Sequence, residues 1–93
     1  MENTLKKKII SMLTKSGAKK ITLFGSYARG HEKKGSDVDL IVEFRPKKSL
    51  LDLVGIEQEV SKKTGVKVDL LTPNSLSPYI AKKILGESKV LYA

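Results

Sequence analysis

Asp37 and Asp39, in "DVDLIVEF" (37–44), and Asp69, in "VKVDLL" (66–71), are the side chains best placed by type and spacing to do chemistry. Carboxylates two residues apart on a strand point to the same face, about 7 Å apart at the backbone. Both can then reach one cation, or share a pair of cations. Asp69 would bring a third carboxylate to the same place if its strand lies beside theirs. Three such groups without a cation repel and raise one another's pKa values, and a divalent ion resolves that conflict. The chain has no cysteine and a single histidine, His31, which excludes thiolate sites and histidine-based zinc clusters. Carboxylate ligands favour magnesium or manganese.

A second feature precedes the first. Gly25-Ser26, in "LFGSYARG" (23–30), ends a predicted strand and opens a helical turn. Glycine permits close backbone approach to a phosphate, helix-start N–H groups attract anions, and the Ser26 hydroxyl adds a donor. A phosphate cradle beside an acidic metal cluster supplies the parts for transferring a phosphate-containing group. Each part has a duller explanation. Gly-Ser is an ordinary turn, Asp-x-Asp occurs on exposed strands and in sugar-nucleotide glycosyltransferases, and Asp69 alone could cap a turn or pair with a lysine. Their joint occurrence favours the specific reading.

The elements that must position these residues follow from periodicity. Leu5, Ile9, Met12 and Leu13 recur at helical spacing, with Asn3 or Thr4 as N-cap and Gly17 as the stop. Residues 19–24 read as a strand and "SYARG" as a helical turn. In 37–44, Val38, Leu40, Val42 and Phe44 share one face and Asp37, Asp39, Ile41 and Glu43 the other. A helix is expected over 49–64, with Leu50, Leu53, Val54, Glu57 and Val60 on one side and Gly65 at its end. Residues 66–71 read as a third strand. A last helix from Ser75 or Ser77 carries Leu76, Tyr79, Ile80 and Ile84 and closes at Gly86, and "KVLYA" adds a short terminal strand. The fold class is α+β: a small mixed sheet of three to four strands with helices packed on it.

A chain of 93 residues predicts one domain, 1–93, with little surplus burial. No apolar run approaches the roughly 20 residues that cross a bilayer, and the lysine-interleaved start is unlike a signal peptide. A cytoplasmic location is expected. The net charge of +8 attracts polyanions such as nucleotides, nucleic acid or an acidic protein surface, or else coats a soluble surface. Aromatic residues make up only 5%, which argues against an interleaved basic and aromatic nucleic-acid face. His31 reads as a solvated loop residue.

The pattern G-S-x10-D-x-D, met by Gly25, Ser26, Asp37 and Asp39 without insertion, followed by Asp69, resembles the minimal nucleotidyltransferase (MNT) family of the DNA polymerase β-like nucleotidyltransferase superfamily. The resemblance covers nearly the whole chain. It implies transfer of AMP from ATP to an acceptor hydroxyl, with release of pyrophosphate. By position, Gly25 and Ser26 would hold the triphosphate, and Asp37 and Asp39 would bind two Mg²⁺ ions. Asp69 would bind the acceptor-side metal and help activate the nucleophile. Arg29, in the "GS-x-x-RG" turn, would contact phosphate or else pair with an acid. The resemblance also implies a partner. Stand-alone members work beside a HEPN-domain toxin in a hetero-complex, as antitoxins that add AMP to a tyrosine of the toxin. The alternatives are a non-catalytic antitoxin that masks its partner, and a nucleotidyltransferase subunit acting on RNA or a small molecule. No motif selects ATP over other triphosphates or sets the number of AMP units added.

Overall fold

Seven residues of strict alternation build the centre of the molecule. In the computed structural model, which describes residues 1–30, 33, 35–75, 78, 79, 82 and 87–93, Val38, Leu40, Val42 and Phe44 are buried while Asp39, Ile41 and Glu43 face the other way. The elements are helix α1 (Asn3–Lys15), strand β1 (Ala18–Phe24), the short helix α2 (Ser26–Arg29), β2 (Val38–Phe44), α3 (Leu50–Thr64), β3 (Val68–Leu71), a 3₁₀ turn (Pro73–Ser75) and β4 (Lys89–Tyr92). They form a four-stranded mixed sheet in the order β3-β2-β1-β4. β1 pairs antiparallel with β2 and with β4, and β2 pairs parallel with β3. The expected α+β class and mixed sheet are therefore found, with the terminal strand β4 included.

The sheet is covered on one face. Ile9 and Leu13 of α1 and Val60 of α3 pack on Ile21 and Leu23 of β1, on the apolar face of β2 and on Val68 and Leu70 of β3. Burying each large apolar side chain contributes about 1.5–3 kcal/mol, so this layer holds the domain together. The opposite face carries Thr22, Phe24, Asp39, Ile41, Glu43, Asp69 and Leu71, all partly or largely exposed.

Three details differ from the sequence reading. Helix α1 begins one turn position earlier, with Glu2 as an N-cap that makes no side-chain bond, so neither Asn3 nor Thr4 caps it. β1 starts at Ala18, β2 at Val38 and β3 at Val68, leaving Asp37 just ahead of its strand. In α3 the inward side is Leu53, Ile56 and Val60, whereas Leu50 and Val54 are 79% and 45% exposed. The start of α3 follows a capping box: Ser49 Oγ accepts from Asp52 N at 3.1 Å and Asp52 Oδ2 accepts from Ser49 N at 3.3 Å. Pro78, Tyr79 and Lys82 are helical, as the last helix requires, but Leu76, Ile80, Ile84 and Gly86 lie outside the described residues, as does His31.

Candidate active site

The register of the parallel pair decides where the acids meet. Val38 lies opposite Val68, Asp39 opposite Asp69, and Leu40 opposite Leu70. The alternation that buries the flanking apolar residues turns both aspartates onto the open face, side by side across neighbouring strands. One step earlier, Val38 N donates to Lys67 O at 2.8 Å and extends the register. Asp37 and Lys67 are thereby juxtaposed, and Lys67 Nζ stands 3.7 Å from Asp37 Oδ2.

Asp39 is where the electrostatic conflict concentrates. Partial burial, the negative charges of Asp69 and Asp37, and a hydrogen bond with the Asp69 carboxyl push its pKa up to about 6. The Lys67 ammonium works in the opposite direction. Below that pKa a proton on Asp39 relieves the repulsion between the two carboxyls.

On the other side of Asp39 lies the turn after β1. Phe24 pairs with Asp39 across the antiparallel ladder, so Gly25 follows directly beside it. Gly25 has φ +76°, and a Cβ at this position would come within 2.5 Å of Asp39 Oδ2. Glycine is required here for two reasons, backbone conformation and the bulk of its neighbour. Gly25 O then accepts from Ala28 N and Arg29 N at 3.1 and 3.2 Å, closing the single turn of α2. The N–H groups at the head of such a turn have no acceptor within it.

Arg29 sits in this turn and points elsewhere. Its Nη1 donates to Glu87 Oε2 at 3.0 Å in a pair whose side chains are 46% and 55% exposed. Of the two roles left open by the sequence, pairing with an acid is the one formed here. A cavity of about 860 Å³ also lies away from the aspartates, none of which lines it. It opens at the far end of the sheet, among Lys19, Arg45, Lys47, Lys48 and the Pro73–Asn74 turn. The acidic cluster lies on an open face, not in that cavity.

The donor set suits a hard divalent cation. Asp39 and Asp69 are oxygen ligands in register, and the raised pKa of Asp39 marks negative charge in want of compensation. Among the described residues, no three acidic or histidine side chains are grouped closely enough to hold a metal as they stand. Asp37 is engaged by Lys67 instead.

A family model, the nucleotidyltransferase domain, matches residues 5–91. The chain belongs to this family. This nucleotidyltransferase is 48% identical over 86 residues, 92% of each chain, to a Methanocaldococcus jannaschii protein named "Putative protein adenylyltransferase MJ0435". It also superposes on a chain of a toxin–antitoxin crystal structure with AMP-PNP, at TM-score 0.86 and 26% identity, covering 95% of this chain and 73% of that one. A third likeness, at TM-score 0.81 and 23% identity, covers all of this chain and 73% of a chain in the complex of a tri-AMPylated Shewanella oneidensis HEPN toxin with an MNT antitoxin. That one bears on the fold alone. The nucleotidyltransferase has no described helix long and apolar enough to cross a membrane.

Sequence reasoning missed two supporting residues. Glu57, placed on the inner side of α3 without a reason, accepts from Leu70 N at 2.7 Å, and Ser61 Oγ one turn later accepts from Val68 N at 2.9 Å. Both N–H groups belong to the outer edge of β3, so α3 ties down the strand that carries Asp69. A polar residue at an inward helical position was the available signal.

Proposed function

We propose that residues 1–93 form a single catalytic domain that transfers AMP from ATP to a tyrosine hydroxyl of a HEPN-domain toxin, in the cytoplasm, and so acts as its antitoxin. The observation that carries the reading is Asp39 set in register with Asp69 and pressed against the side-chain-free Gly25. The names of the relatives, an adenylyltransferase acting on protein and a chain of a toxin–antitoxin structure with AMP-PNP, support the reaction and the partner class.

Each residue has a role in this reading. Gly25 lets the triphosphate approach the backbone, and the Ser26 hydroxyl donates to a phosphate oxygen. Arg29 donates through Nη1 to the exposed Glu87, and its other guanidinium N–H groups can add a phosphate contact. Asp37, Asp39 and Asp69 are the residues that would hold two Mg²⁺ ions, which when bound neutralise the phosphates and polarise the α-phosphorus. Asp69, toward the acceptor, orients the tyrosine hydroxyl and receives its proton. The new bond joins the tyrosine oxygen to the α-phosphorus, the bond to the β-phosphate bridge breaks, and pyrophosphate leaves. The open face leaves a protein acceptor room to reach the site.

Incubating the protein with ATP, Mg²⁺ and its proposed HEPN-domain partner should add whole AMP units to a tyrosine of that partner, read by intact-mass and peptide spectrometry. Asp39→Asn should abolish the addition and the neutralisation together. If Asp39→Asn still neutralises the toxin, the protein masks its partner by contact. If radioactive ATP labels RNA instead, the acceptor class is wrong.

A further inference from the structure

Asp37, Asp39, Lys67 and Asp69 form a two-by-two arrangement: Asp39 and Asp69 are paired across the parallel strands, and Asp37 and Lys67 each stand just ahead of their strand. Three corners are acidic and one is an ammonium. Lys67 is not there by the reach of a flexible side chain alone. Its carbonyl is fixed to Val38 N, which places its Cα beside that of Asp37, and its Nζ lies 3.7 Å from Asp37 Oδ2. The side chains of Lys67 and Asp37 are 70% and 39% exposed, so the pair is accessible to solvent, to ions and to a nucleotide.

We propose that Lys67 is a built-in counter-cation that competes with the divalent metal for Asp37, so that the metal-free site resists a bare cation and fills when metal and triphosphate arrive together. The inference rests on the nucleotidyltransferase reading of the same site. An ammonium at this corner supplies part of the positive charge that three carboxylates demand. A divalent ion entering alone must displace it and then sits near an unpaired positive charge. A triphosphate removes that penalty, because its oxygens offer the displaced ammonium a new anionic partner. Lys67 is therefore a positioning residue that couples metal binding to nucleotide binding, two events that are thermodynamically reciprocal.

Manganese is the probe, titrated by its own paramagnetic resonance signal with and without a non-hydrolysable ATP analogue. Lys67→Met removes the ammonium while keeping an unbranched side chain one atom shorter and the backbone bond to Val38, and at this exposed position it should fold. Without nucleotide, Lys67→Met should bind Mn²⁺ about three- to tenfold more tightly than wild type. The further tightening produced by the analogue should shrink by a similar factor. Lys67→Arg should resemble wild type. Equal Mn²⁺ affinity in Lys67→Met and wild type, with the analogue effect intact, overturns the proposal and leaves the catalytic reading standing. A wild-type protein that binds no Mn²⁺ even with the analogue overturns the catalytic reading itself. A purely structural role for Lys67 would lower the melting temperature of Lys67→Met and leave both titrations unchanged, which also overturns the proposal.

Discussion

The chemistry of a single carboxyl sets the pH behaviour of the metal-free protein. Asp39 has a folded-state pKa of about 6 against an ordinary value of 3.8. A carboxyl raised in this way binds its proton more tightly when folded than when unfolded. Its contribution to stability is therefore full below the ordinary value and is lost as pH rises through about 6. Replacing it with asparagine removes the charge while keeping the shape and a hydrogen-bonding group. At about pH 7.5, without divalent ions, Asp39→Asn should be more stable than wild type by on the order of 1–2 kcal/mol, well short of the full shift because Asp39 is only partly buried and solvent screens it. At about pH 4 the advantage should vanish. Scanning calorimetry at the two pH values checks this. Adding Mg²⁺ together with a non-hydrolysable ATP analogue at the higher pH should raise the melting temperature of wild type well above the rise seen in Asp39→Asn. A variant less stable than wild type at both pH values would mean that the three acids do not strain one another.

The elements show what local pattern can and cannot tell. β2 was legible because its alternation is strict, and both the buried set and Asp39 with Glu43 follow from it. Helix α3 was less so. Its apolar residues form two overlapping stripes, one through Leu50, Leu53, Val54 and Val60, the other through Leu53, Ile56 and Val60. Only the sheet beneath the helix selects the second, leaving Leu50, Leu51 and Val54 exposed. The adjacency of β2 and β3 was conditional in the sequence for the same reason: strand pairing across a helical crossover is a long-range fact. What fixes β3 is partly the pair of helix-to-strand bonds from Glu57 and Ser61. Glu57→Ala leaves the N–H of the buried residue Leu70 without its acceptor and should cost about 1–2 kcal/mol. Glu57→Gln keeps an acceptor oxygen and should recover most of it. Hydrogen exchange at the Leu70 amide should quicken in the first variant far more than in the second. Equal exchange in wild type and Glu57→Ala would remove α3 as the support of Asp69.

At the scale of the molecule, one face of the sheet carries the stability and the other the proposed site. The Gly-Ser turn, Asp37 and Asp39 could be read from sequence because they lie close along the chain. That Gly25 packs against Asp39, and that Lys67 completes the acidic array, depend on strands brought together by folding. The division makes neighbouring residues respond oppositely. Leu40 is fully buried, one residue from Asp39, and touches the layer that joins both helices to the sheet. Leu40→Ala should lose about 2–5 kcal/mol, a large share of the roughly 5–15 kcal/mol that holds a domain of this size. Its transferase activity, measured well below its lowered melting temperature, should stay near wild type. Leu51→Ala, at a position 83% exposed, should shift stability by no more than about 0.5 kcal/mol. Thermal unfolding paired with the AMP-transfer assay reads both quantities on the same samples. A loss of activity in Leu40→Ala at temperatures where it is fully folded would show that the packed layer tunes the acids directly. A large loss of stability in Leu51→Ala would mean that α3 meets the sheet by the other stripe.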